Sequence, residues 1–207
     1  METTEAIRTR RSIKTYDPDC EITDDTLREL FSVVRQSPSS FNLQHTRFVV
    51  IRDRATRQKL KDAAYGQPHV GAAPAVVIVA AKLAAHEDAD RANGHAPEEV
   101  RAKLVPMIVG MYQGNTHFQR DEAIRSGSIA SMTLMLAASD MGLCTCPMIG
   151  FDQEAVAEMA GIDDKHVVVM LITLGKRGDG DVFPTSRFEL DETVKLESLG
   201  GEGLTPA

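Results

Sequence analysis

SPSSFNLQHTRFVVI, residues 37–51, is where one structural period gives way to another. Before it, residues 23–36 place Leu27, Leu30, Phe31 and Val34 at helical spacing, with Thr23 as a plausible N-cap and Asp24 and Asp25 at the positive helix end. At its end, residues 48–51 form an apolar run that does not alternate with polar residues, as in a strand covered on both faces. Residues 75–80 and 167–172 read the same way, so all three are expected as central strands. Residues 54–64 read as a surface helix, and 120–141 as a long helix, small and apolar nearly all round, that must be buried. Strands interleaved with helices predict a single α+β domain over 1–207, with three layers and the sheet in the middle.

Outside this frame, residues 82–118 are more polar, turn helical after Pro97 with Val100, Leu104 and Met107 or Ile108 inward, and read as an inserted helical cover. The stretch KRGDGDVFPTSRF from Lys176 is turn-rich, and the charged end with Leu190, Val194 and Leu196 is too short to close a core alone. The chain has 207 residues, 43% hydrophobic and 26% charged, enough to bury a core without disulfides or metals. A net charge of −7 argues against broad nucleic-acid binding, which needs a basic face. No apolar run reaches the ~20 residues that a bilayer requires, and METTEAIRTRR lacks an apolar stretch after its charges. Cys20, Cys144 and Cys146 are too few and odd in number for a secreted disulfide framework. A soluble cytoplasmic protein is expected.

Three places could carry chemistry. Arg8, Arg10, Arg11 and Lys14 cluster around Ser12 in an acidic chain, a set suited to phosphate oxygens, although a solvated basic turn at a helix end would look the same. In the link that opened this reading, Asn42 and Gln44 each offer a donor and an acceptor, as recognition of a heterocycle or polyol requires. In CTCPMIGFD, residues 144–152, proline and glycine set a rigid path that could aim N–H groups at a ligand, ahead of a helix capped by Asp152. Both cysteines there read as buried packing, because a structural zinc site needs about four spaced ligands and none is visible. His86, His95 and His117 are expected at the surface, and His45, His69 and His166 as local hydrogen-bonding residues beside strands. The nucleophile elbow, the Gly-Lys-Ser/Thr phosphate loop and the Gly-x-Gly-x-x-Gly dinucleotide turn are all missing.

Taken in order and spacing, RTRRSIKTYDP, SPSSFNLQHTRFVVI, AAPAVVIVA, CPMIGFD and TSRFELDETV resemble the nitroreductase family over nearly the whole chain. The resemblance implies a central mixed sheet flanked by helices, an intertwined homodimer, and a C-terminal arm, 188–207, crossing to add a strand to the partner's sheet. It implies FMN as cofactor: Arg10, Ser12 and Arg187 on the phosphate, Arg11 supporting it, and Lys14 near the ring and ribityl chain, where it would stabilise the anionic reduced flavin. Pro38, Ser39, Ser40 and Asn42 would line the ring from the other subunit. Pro147, Met148, Ile149 and Gly150 would cover one ring face, and Gln67 resembles an amide that reaches the ring. Ile149 stands where many relatives have glutamate, and Thr185 where a lysine is common, which weakens the phosphate clamp unless Lys176 or Arg177 substitutes. NADPH or NADH would give hydride to the flavin and an electron-poor acceptor, a nitroaromatic or quinone, would take it in ping-pong order, with no side chain acting as nucleophile. A flavin-binding electron carrier or sensor would carry the same motifs, as would an enzyme of reductive dehalogenation or flavin cleavage.

Overall fold

A computed structural model describes residues 2–182 and 185–206. Its helices are α1 (Thr3–Thr9), α2 (Asp24–Val34), α3 (Arg54–Ala63), α4 (Pro68–Ala72), α5 (Ala89–Ala92), α6 (Glu98–Tyr112), α7 (Thr116–Asp140), α8 (Gln153–Ala160) and α9 (Leu190–Thr193). Its strands are β1 (Thr46–Ile51), β2 (Ala75–Lys82), β3 (Cys144–Met148) and β4 (His166–Gly175). The helix ends follow local chemistry. The Thr23 side chain accepts from Thr26 N, and the Asp152 side chain accepts from Glu154 N and Ala155 N, so each satisfies orphan donors of a first turn.

The sheet runs β1-β2-β4-β3 with every neighbouring pair antiparallel, and its parallel component is the single bridge between Ser12 and Thr145. Because strand side chains alternate, Val77, Val79 and Ala81 of β2 join Leu30 and Val34 of α2 and Leu134 and Ala138 of α7 in one core. Val76 and Ile78 face the other way, onto Leu60, Val70 and Val156 from α3, α4 and α8. Those are the three layers. The approach of α7 to the sheet depends on Gly127, where a Cβ would stand 2.7 Å from a methyl carbon of Val169. A third cluster packs Leu43 against Ala85, Ala89, Ile108 and Tyr112, so the insert has a core of its own, pressed onto the loop before β1.

One expectation is corrected. Residues 48–51 belong to an edge strand, β1, whose side chains are mostly half-buried; an apolar run reports covered faces and says nothing about which strand pairs on the second side. The path expected to be rigid at CTCPM is strand β3, and Pro147 is accommodated because β3 is the opposite edge. In α6, Ile108 is buried as expected while Val100 and Met107 are about half exposed.

Candidate functional site

Past α1 the chain runs extended beside β3, with Ile13 N donating to Thr145 O at 3.0 Å. Period-two alternation then buries Ile13 and turns Arg10, Ser12 and Lys14 to the opposite side. Tyr16 anchors the segment: its hydroxyl donates to Ile13 O at 2.9 Å and lies 2.6 Å from Thr173 Oγ1 on β4, and burial drives its pKa far up. Arg10, Arg11, Ser12, Lys14, Thr185 and Arg187 line a cavity of about 360 Å³. Arg10 Nη1 is buried and has no hydrogen-bond partner among the described residues. A buried guanidinium N–H without an acceptor is costly, and an anion in the cavity would remove that cost. Arg11 is committed differently, its Nη1 donating to Arg8 O at 2.7 Å and Arg10 O at 2.8 Å, so it closes the end of α1.

The end of β3 lies alongside. Ile149 is 78% exposed, and Gln67, the N-cap of α4, donates through Nε2 to Gly150 O at 2.8 Å. Burial pushes the Cys146 thiol up, against the opposing pull of Lys14, the Ser12 hydrogen bond and Arg10; burial likewise pushes Cys144 up. Both are neutral packing thiols. Burial lowers the pKa of His69 on α4, with the positive charge of Lys14 adding to it. Ser12 and Ile13 thus run beside β3 at Thr145, and Gln67 joins the turn that follows the same strand.

Pro38, Ser39, Ser40 and Asn42 do not join them within one chain. Pro38 and Ser39 line a separate cavity of about 260 Å³ with Phe31, Arg47 and Phe48. The loop is wound through the left-handed region at Phe41 (φ 47°), Asn42 (56°) and Gln44 (49°), conformations that non-glycine residues keep only when surrounding contacts hold them. Those contacts are Gln44 N to Ser39 Oγ (2.9 Å), Tyr112 Oη to Ser40 Oγ (2.9 Å), Asn42 Nδ2 to Ala92 O (3.0 Å) and Asn93 Nδ2 to Phe41 O (3.3 Å).

Three histidine expectations fail around this loop and α4. His86 is buried and stacks on Tyr112 with ring centroids 5.6 Å apart. Among the described residues, His45 is fully buried with neither ring nitrogen partnered, and His69 leaves Nε2 unpartnered. His166 does bond locally, through Nδ1 to Asp163 Oδ1 at 2.5 Å. Sequence reasoning passed over Tyr112 and Asn93; the i, i+4 spacing of Ile108 and Tyr112 was the available signal.

The chain is similar to known proteins over most of its length. The model of the nitroreductase family matches residues 7–176. Protein DrgA of Synechocystis is 40% identical over 178 residues, spanning 86% of this chain and 85% of that one. MhqN of Bacillus subtilis, named as a candidate NAD(P)H nitroreductase, is 40% identical over 182 residues, 84% of this chain and 88% of its own. A candidate nitroreductase of Exiguobacterium sibiricum, solved in complex with FMN, superposes with a TM-score of 0.87 at 29% identity, covering 95% of this chain and 98% of that one. By matched length, by identity and by fold, the chain belongs to the nitroreductase family.

Proposed function

We propose that the chain is an FMN-dependent oxidoreductase that takes hydride from NADPH or NADH and passes it to nitroaromatic, quinone or related electron-poor acceptors in two successive half-reactions. The observation that carries this reading is Arg10 Nη1, buried and unpartnered at a cavity that Ser12, Lys14 and Arg187 also line. A phosphate monoester supplies the missing acceptor, and charge-assisted contacts from Arg10 and Arg187, with the Ser12 hydroxyl, hold it. Arg11 supports the clamp from the end of α1. The relative solved with FMN and the names of the NAD(P)H nitroreductase relatives support the same cofactor and donors.

Bound flavin supplies a two-electron centre that accepts and releases hydride. The chain holds it: Lys14 places positive charge at the ring edge, Pro147, Met148, Ile149 and Gly150 cover one face, and the Gln67 bond to Gly150 O fixes that turn. Ile149 in place of a carboxylate makes this face apolar. Pro38, Ser39, Ser40 and Asn42 complete the site from a second copy, which accounts for their separation from Arg10 within one chain. Exposed Ile129 and Met132 on α7, together with Leu196 and Leu199 of the arm, are surface for that dimer. The segment 82–118 then covers the site, and three free cysteines suit a cytoplasmic setting.

The test is the visible absorbance spectrum of purified protein before and after anaerobic NADPH and NADH. A flavin spectrum bleached by nucleotide and restored, turnover after turnover, by menadione or a nitrofuran is the expected result. A colourless protein that FMN cannot reconstitute overturns the reading, and one stoichiometric reduction without turnover reassigns the chain as a carrier.

A further inference from the structure

A separate cavity of about 420 Å³ lies where the 38–44 loop meets the insert, lined by Leu43, Gln44, Arg47, Asp88, Arg91 and Ala92. Arg47 Nη1 donates to Gln44 O at 2.8 Å and Thr46 O at 2.9 Å, which fixes the guanidinium and leaves the rest of its fork for a ligand. Arg91 is exposed on α5. Asp88 is the cavity's one carboxylate, and Lys82 pairs with it at 2.7 Å and with Glu87 at 3.6 Å. Lys82 holds the Asp88 carboxyl below the usual range, and Arg91 and Arg47 act in the same direction, so both guanidinium groups lie within its electrostatic reach. The lining thus carries two guanidinium groups against one carboxylate that Lys82 already engages, in a chain whose net charge is −7.

We infer that this cavity is a phosphate subsite for the nicotinamide dinucleotide donor, with Arg47 and Arg91 pairing with phosphate oxygens and the Gln44 amide adding a neutral donor. The inference rests on the flavin reading above, since Asn42, which holds Ala92 O, belongs to the loop assigned there to the flavin ring. A dinucleotide carries such oxygens on its pyrophosphate and, in NADPH, also on the adenosine 2′-phosphate.

Arg91→Glu is the informative variant. Arg91 bonds none of the loop residues through its side chain, whereas Arg47 holds loop carbonyls and its loss would be ambiguous. Binding of 2′,5′-ADP and of inorganic pyrophosphate to wild-type and variant protein is measured by calorimetry, flavin content by absorbance, and KM for NADPH and NADH by steady-state kinetics. Arg91→Glu is expected to weaken probe binding about ten-fold or more at unchanged flavin content, and Arg91→Ala less. A loss confined to 2′,5′-ADP and NADPH supports a 2′-phosphate contact; a loss shared by pyrophosphate and both nucleotides supports a pyrophosphate contact. Equal affinity in wild type and Arg91→Glu, or no binding of either probe to wild type, overturns the subsite and leaves the flavin reading intact. A wild-type chain that takes up no FMN overturns the flavin reading, and the probe titration still decides whether Arg91 binds phosphate.

Discussion

Arg10 and Arg11 are adjacent in sequence, yet of the two only Arg10 keeps a buried guanidinium nitrogen with no acceptor among the described residues, while Arg11 bonds the carbonyls that end α1. Arg10→Ala is therefore expected to weaken FMN binding roughly ten- to hundred-fold, the loss of one charge-assisted contact, with melting temperature and oligomeric state unchanged. Fluorescence titration of apoprotein with FMN measures it, and full flavin retention would remove Arg10 from the site. His45 sets a pH dependence. Burial lowers its pKa from 6.5 to about 4, Glu122 pulling it up and Arg47 down. The unfolded chain protonates His45 below about pH 6.5 while the native chain keeps it neutral, so its contribution to stability is full above that pH and is lost as pH falls toward 4. The whole step is about 3 kcal/mol, and the shift at His69 adds in the same direction. Denaturant unfolding at pH 7.5 and pH 5 should show the loss, and His45→Leu should flatten it; an identical slope in the variant would assign the pH dependence elsewhere.

At the scale of elements, one hydroxyl pair is among the bonds that join the insert to the loop before β1, beside the Asn42 and Asn93 amides. Tyr112 is fully buried near the end of α6, flanked by His86 and by Phe118 at 4.8 Å, and reaches Ser40 Oγ on the loop assigned to the flavin. Tyr112→Phe keeps the ring and removes only that bond, so global stability should change by about 1 kcal/mol while FMN affinity falls. Ser40→Ala should produce the same loss and the double variant little more, because both break one interaction. Additive losses would mean that the pair does not act as a unit. Helices were the most legible elements: α2 was announced by its cap and apolar spacing, and α7 by small residues all round. β3 was not, because Pro147 breaks any strand pattern unless the strand is known to lie at an edge, and edge position is a property of the pairing.

For the whole molecule, the arm beyond Arg187 is the open end. It forms α9 and a short hairpin bridged between Lys195 and Gly203, and it leaves Phe188 and Leu199 largely exposed. Apolar side chains so displayed cost little only when another surface covers them. Removing residues 188–207 should shift the protein toward monomer in sedimentation and weaken FMN retention although Arg10 and Arg187 remain; an unchanged dimer would mean that the arm does not cross. Sequence alone determined the three layers and the identity of the cationic segment, because helical spacing, buried β-branched runs and clustered arginines are local properties of the chain. Only tertiary structure decided which strands are edges, that Arg10 rather than Arg11 lacks a partner among the described residues, that His45 and His86 are buried while His95 and His117 stay exposed, and that Pro38–Asn42 stand apart from Arg10 within one chain. Each of these depends on what residues distant in sequence bring into contact, and pairing, desolvation and hydrogen-bond satisfaction have no signature in any single stretch of the chain.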